Sequence, residues 1–111
     1  MDREIKTWLF DILSSIEEIE VFLPESQRVF ADYKKEVKTK RAIERNLEII
    51  GEAVGRILKK DPQFKLSQSR KIVDVRNRII HGYDIISDEL IWGIIINDLP
   101  KLKSEIVELL K

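Results

Sequence analysis

The chain has no cysteine and a single histidine, and those two shortages remove most metal and thiol chemistry at once. Without thiolates there is no disulfide, no cysteine-type zinc site and no cysteine nucleophile, a composition that fits a cytoplasmic protein. Excess charge of either sign is also missing. Twenty basic side chains balance twenty acidic ones, so no whole-molecule field draws the protein to nucleic acid, and any polyanion site must be local. Long apolar runs are absent too: LIWGIIIN falls far short of the roughly twenty residues of a membrane helix. The charged start MDREIKTWLF lacks the apolar core of a signal peptide, so no membrane partner is expected. No strand alternation, internal repeat or low-complexity linker appears.

What is present is helical periodicity over a chain that is 43% hydrophobic and 36% charged, enough for one modest core in a single domain spanning residues 1–111. Ile5, Leu9, Ile12, Ile16 and Ile19 recur in steps of four and three, the signature of one buried helix face, and Leu23-Pro24 closes that helix. A short amphipathic piece follows around SQRVFADYKKE, with Val29, Phe30 and Tyr33 on one side. Thr39 is placed to cap a third helix with the stripe Ile43, Leu47, Ile50, Val54 and Ile57. Within it Gly51 and Gly55 share a face. Each costs about 1 kcal/mol of helix propensity relative to alanine, which a close backbone approach would offset. Ser67 or Ser69 is placed to cap a fourth helix through KIVDVRNRIIH, which Gly82 ends. Ser87 opens the last one, with the stripe Ile91, Ile95, Leu99, Leu102, Ile106 and Leu109. Pro100 cannot bond the carbonyl of Ile96, which predicts a kink or break there. The expectation is an all-α antiparallel bundle of about five helices.

Few residues remain for chemistry. GEAVG lies inside a helix rather than after a strand, which excludes a phosphate-cradling glycine loop. His81 has no carboxylates at ligand spacing on its helix, so no metal site is expected. At about 100° per residue, Asp74, Asn77 and His81 share one face, whereas Arg76 lies about 140° from His81. The two meet only if the helix unwinds near Gly82 and the arginine reaches around, or if a second copy of the helix completes the site. RNA cleavage without a metal needs a base for the 2′-hydroxyl, an acid for the leaving 5′-oxygen and positive charge at the phosphate. One imidazole cannot stand in both proton-transfer positions, and a two-fold dimer would supply two copies of His81 and Arg76. The plainer reading is a histidine at a helix end and an arginine paired with a surface carboxylate such as Asp74. The stretch KKEVKTKR, with Lys38, Lys40 and Arg41, is either a solvated helix end or an edge that contacts RNA phosphates.

RNRIIHGY matches the Arg-x4-His-x-Tyr signature of HepT-like toxins of the HEPN superfamily, which pair with an MntA-type minimal nucleotidyltransferase as antitoxin. RAIERNLEIIGEAVGRI resembles a second block of that family, and WGIIINDLPKLKSEI its closing helix, so the likeness covers nearly the whole chain. The resemblance implies a HEPN-like helical domain that forms a homodimer, with a metal-independent endoribonuclease site in the groove between signature helices. It implies Arg76 and His81 as catalytic, Asn77 as support for the arginine, and Tyr83 as the acceptor of AMP that the partner takes from ATP. No cofactor of the chain's own is implied. Glu44 and Glu52 fall in the second block without an assigned role. The alternative is a non-catalytic helical module that binds a nucleotide or a partner and is associated with a nucleotidyltransferase.

Overall fold

Asp2 starts the first helix. Its Oδ1 accepts from the backbone N–H groups of Glu4 and Ile5 at 2.9 and 3.1 Å, satisfying two of the donors that every helix start leaves unpaired. Helix α1 then runs Arg3–Phe22, with the whole expected stripe from Ile5 to Ile19 buried. In this computed structural model, which describes residues 1–82 and 86–111, the described residues form helices and no strands.

A 3-10 turn at Glu25–Gln27 leads to α2, Phe30–Lys35. Tyr33 is buried and packs with Phe30 against Trp92, ring centroids 5.2 and 5.5 Å from the indole. Val29 does not join them. It is extended and stands just before the helix, so it leaves the stripe and is exposed.

Helix α3, Val37–Lys60, begins two residues before Thr39, which therefore lies inside the first turn and does not cap it. The physical reason is that the Lys40 N–H already bonds the Glu36 carbonyl at 3.0 Å, so the chain re-enters helix immediately after α2. The stripe from Ile43 to Ile57 is buried. α3 packs between α1 and α4. Its last turn lies beside the start of α1, where Lys60 pairs with Asp2 and Glu4, so the two helices are antiparallel.

Helix α4 spans Ser69–His81, and neither expected serine caps it. Gln68 takes the cap position in a left-handed conformation (φ 57°), while Ser67 turns away to donate its N–H (2.9 Å) and its hydroxyl to Glu105. The serine fastens the entry of α4 to the final helix instead of capping it.

The final rod consists of α5 (Asp88–Gly93), a π turn (Ile94–Asp98) and α6 (Leu99–Leu109). Ser87 caps it as expected, its Oγ accepting from the Leu90 N–H at 3.1 Å. The expected disturbance at Pro100 takes the form of the π turn, in which the Leu99 N–H reaches the Ile94 carbonyl five residues back. The widened turn sits where the proline withholds its amide. Ile91, Ile95, Leu99, Leu102 and Ile106 are buried, but Leu109 is exposed because the rod there outruns the core. Lys103 joins α6 to Glu20 near the end of α1 at 2.9 Å.

Candidate active site on the fourth helix

Ile72, Val75, Arg76 and Ile79 are spaced by three, one and three, so an arginine occupies the stripe that α4 turns toward α3. Ile72 and Val75 are buried, and Arg76 is half-buried. The room for its stem comes from Gly51. A Cβ at that position would lie 2.3 Å from the Arg76 Cβ, 2.8 Å from its Cγ and 3.1 Å from the Ile72 carbonyl oxygen. Gly51 is therefore the close approach expected of one of the two glycines, whereas a Cβ on Gly55 would meet open space.

From that seat the Arg76 guanidinium turns back along its own helix, one terminal nitrogen donating to the Asn77 Oδ1 at 3.2 Å. Its Nε–H is buried and has no hydrogen-bond partner among the described residues. Asn77 is half-buried and lies four residues, about 40° around the helix, from His81. The amide thus ties the arginine head toward the side that carries the imidazole. His81 is the exposed last residue of α4. The helix does not unwind before it: the Gly82 N–H bonds the Arg78 carbonyl at 3.0 Å, and Gly82 takes the left-handed conformation (φ 62°) that ends the helix cleanly. Among the described residues, up to Gly82, the unwinding considered from spacing as one of two routes is absent. Asp74 is exposed, and among the described residues Arg76 bonds Asn77 rather than pairing with it. Tyr83, the expected AMP acceptor, lies outside the described residues.

The basic stretch at the start of α3 is partly committed to carboxylates. Lys40 pairs with Asp88 at 3.0 Å, joining α3 to α5, and Arg41 pairs with Glu44 at 3.1 Å. Lys38 is exposed. Glu52 pairs with Arg56 at 2.9 Å. Arg78, not expected as a site residue from spacing, is exposed and lines a cavity of about 480 Å³ with Lys40, Arg41, Ile79 and Ile86. A signal was available, since Arg78 stands three residues before His81 and shares its side of the helix. Among the described residues no group of His, Cys, Asp or Glu is arranged to hold a metal ion, and no helix is long and apolar enough to cross a membrane.

Fold and site define a class: a small all-helical domain with an Arg-x4-His helix packed on a long, glycine-notched partner. A family model described as "Ribonuclease HepT-like" matches residues 12–109, and the chain belongs to that HepT-like family. Among its relatives, "Putative RNase MJ0127" of Methanocaldococcus jannaschii is 34% identical, the match covering 98% of this chain and 89% of that protein. "Probable ribonuclease HepT" of Thermococcus cleftensis is 35% identical, with 100% of each chain covered. No solved structure matches the chain significantly.

Proposed function

We propose that the chain is the toxin subunit of a type II/VII-like toxin–antitoxin pair and cuts RNA without a metal, as a two-fold dimer with its signature helices facing each other. The observation that carries this reading is the arginine arrangement. An arginine whose stem is seated in the Gly51 notch and whose guanidinium is held by Asn77 is a pre-positioned phosphate ligand on the helix that ends in the only imidazole. One His81 takes the proton of a 2′-hydroxyl, whose oxygen attacks the adjacent phosphorus. The His81 of the second copy gives a proton to the departing 5′-oxygen, while Arg76 offsets the charge gathering on the phosphoryl oxygens. The products are a 2′,3′-cyclic phosphate and a 5′-hydroxyl. Silencing follows from transfer of AMP from ATP to the Tyr83 hydroxyl by an MntA-type nucleotidyltransferase, with pyrophosphate leaving, which adds negative charge and bulk two residues beyond His81.

Cleavage assays in the presence of a chelator test the reaction. His81→Ala and Arg76→Ala are each expected to lose about 10²–10⁴ in rate with helical content unchanged. Loss of activity to chelator, or fragments without cyclic phosphate ends, would refute the mechanism. A non-catalytic binding module would instead bind RNA or nucleotide while neither substitution altered any cleavage. For silencing, incubation with the partner enzyme and ATP is expected to add roughly 329 Da per AMP to the wild type and nothing at that position to Tyr83→Phe.

A further inference from the structure

The cavity beside Arg78 is not used by any group in the mechanism above. It lies between the first turns of α3 and the last turns of α4, is bounded by Ser87 and Asp88, and reaches Gly82, the residue after His81. At about 480 Å³ it falls within the range of roughly 300–1,000 Å³ typical of small-molecule sites.

Its lining combines three chemistries. Arg78 forms no ion pair with another described residue, so its guanidinium is available to an anion. Lys40 and Arg41 stand with their carboxylate partners Asp88 and Glu44, leaving three cations against two anions. Each carboxylate has about four lone-pair sites and keeps some in reserve for a hydroxyl or an N–H. Val37, Ile79 and Ile86 supply an apolar surface.

A phosphate alone would leave the apolar wall unused and face two carboxylates, and an apolar ligand would bury the field of Arg78 without compensation. A nucleotide uses all three features: an anionic phosphate, hydroxyl and N–H donors, and a flat base. We infer that this cavity is a subsite for one nucleotide of single-stranded RNA, next to the bond being cut. Arg78 holds its phosphate, Ile79 and Ile86 face its base, and Glu44 or Asp88 accepts from its hydroxyl or N–H groups. The assignment rests on the ribonuclease reading and deepens it. Single-stranded RNA is favoured because a duplex keeps its bases stacked and out of reach of such a cavity.

The test is binding of a fluorescent, mixed-sequence 2′-O-methyl oligonucleotide, which lacks the nucleophilic hydroxyl, to wild type, Arg78→Gln and Arg78→Lys, each checked for helical content. Arg78→Gln is expected to weaken binding about tenfold or more. It should also flatten the dependence of log affinity on log salt by about 0.7, the share of one phosphate contact on a single strand. Arg78→Lys is expected to keep the slope. Equal affinity for wild type and Arg78→Gln, or no binding by wild type, would overturn the assignment. So would Arg78-dependent binding of 5′-AMP with Arg78-independent binding of the oligonucleotide, which would make the cavity a free-nucleotide site. Arg78-dependent oligonucleotide binding by a protein that cuts no RNA would sink the ribonuclease reading and, with it, the place of this nucleotide next to a cut bond, leaving only a nucleotide-binding cavity.

Discussion

At the scale of single residues, the two glycines of α3 have opposite roles. Gly51 is filled by its neighbour: adding a methyl group drives it into the Arg76 stem and against the Ile72 carbonyl, neither of which can swing away as a side-chain tip would. Gly51→Ala is therefore expected to cost about 1–3 kcal/mol in urea unfolding despite its better helix propensity. It should also displace Arg76 and depress RNA cleavage by more than the lost stability accounts for. Gly55→Ala, with open space around the new methyl, is expected to stabilise by up to about 1 kcal/mol and leave cleavage alone. Equal effects of the two would show that the notch is not what seats the arginine. Tyr33 carries a second residue-scale expectation. Its buried hydroxyl has no hydrogen-bond partner among the described residues, and its pKa is pushed well above the ordinary phenol value, first by burial and then by Asp88 and Glu44. A group whose folded pKa exceeds its unfolded one contributes fully below the unfolded value and loses that contribution as pH rises toward the folded one. Stability is thus expected to fall above about pH 10. Tyr33→Phe should flatten that fall and be neutral or stabilising by up to about 1 kcal/mol at pH 7. A marked loss at pH 7 would mean that the hydroxyl is bonded after all.

At the scale of elements, α4 is held at its entry by two contacts from the final rod: Ser67 on Glu105, and Lys71 on Asp98 at 2.7 Å. Asp98 sits nearly buried at the end of the π turn, so the backbone disturbance that Pro100 imposes coincides with the carboxylate that anchors the signature helix. Lys71→Met strands that carboxylate. It is expected to cost about 1–2 kcal/mol, less than a fully buried pair because Lys71 is partly exposed to solvent. Melting with and without the substitution, at low and high salt, checks it. The stripes of α1, α3 and α5–α6 were legible from spacing because burial of isoleucine and leucine leaves a periodic trace. The starts of α3 and α4, expected from caps at Thr39 and at Ser67 or Ser69, were not, because each depends on a long-range or backbone contact: the immediate re-entry after Glu36, and the attraction of Ser67 to Glu105. The candidate site was legible only in part. The Arg-x4-His spacing pointed to the helix, but the angle of about 140° between Arg76 and His81 left open what Arg76 packs against. Its place among Ile72, Val75 and Ile79, opposite a glycine on another helix, is what brings its stem into the α3–α4 contact. The cavity under Arg78 needs the fold, since its walls come from three separated segments.

At the scale of the whole molecule, the single imidazole sets the arithmetic. One exposed His81 at the end of an intact helix offers one proton-transfer group, and the proposed reaction needs two at opposite sides of the phosphorus. If both come from one groove shared by two subunits, light scattering should give twice the 13.1 kDa of the chain. Subunit mixing gives a sharper reading. Wild-type protein is exchanged with increasing proportions of His81→Ala at constant total concentration, and cleavage is followed. Every mixed dimer then has one imidazole where two are required, so activity should fall as the square of the wild-type fraction, to about one quarter at equal mixing. Subunits that each carry a complete site would give a straight line and about one half. A linear fall alongside a confirmed dimer would leave the dimer as an assembly without a shared site, and the second proton-transfer group would have to be sought within the same chain.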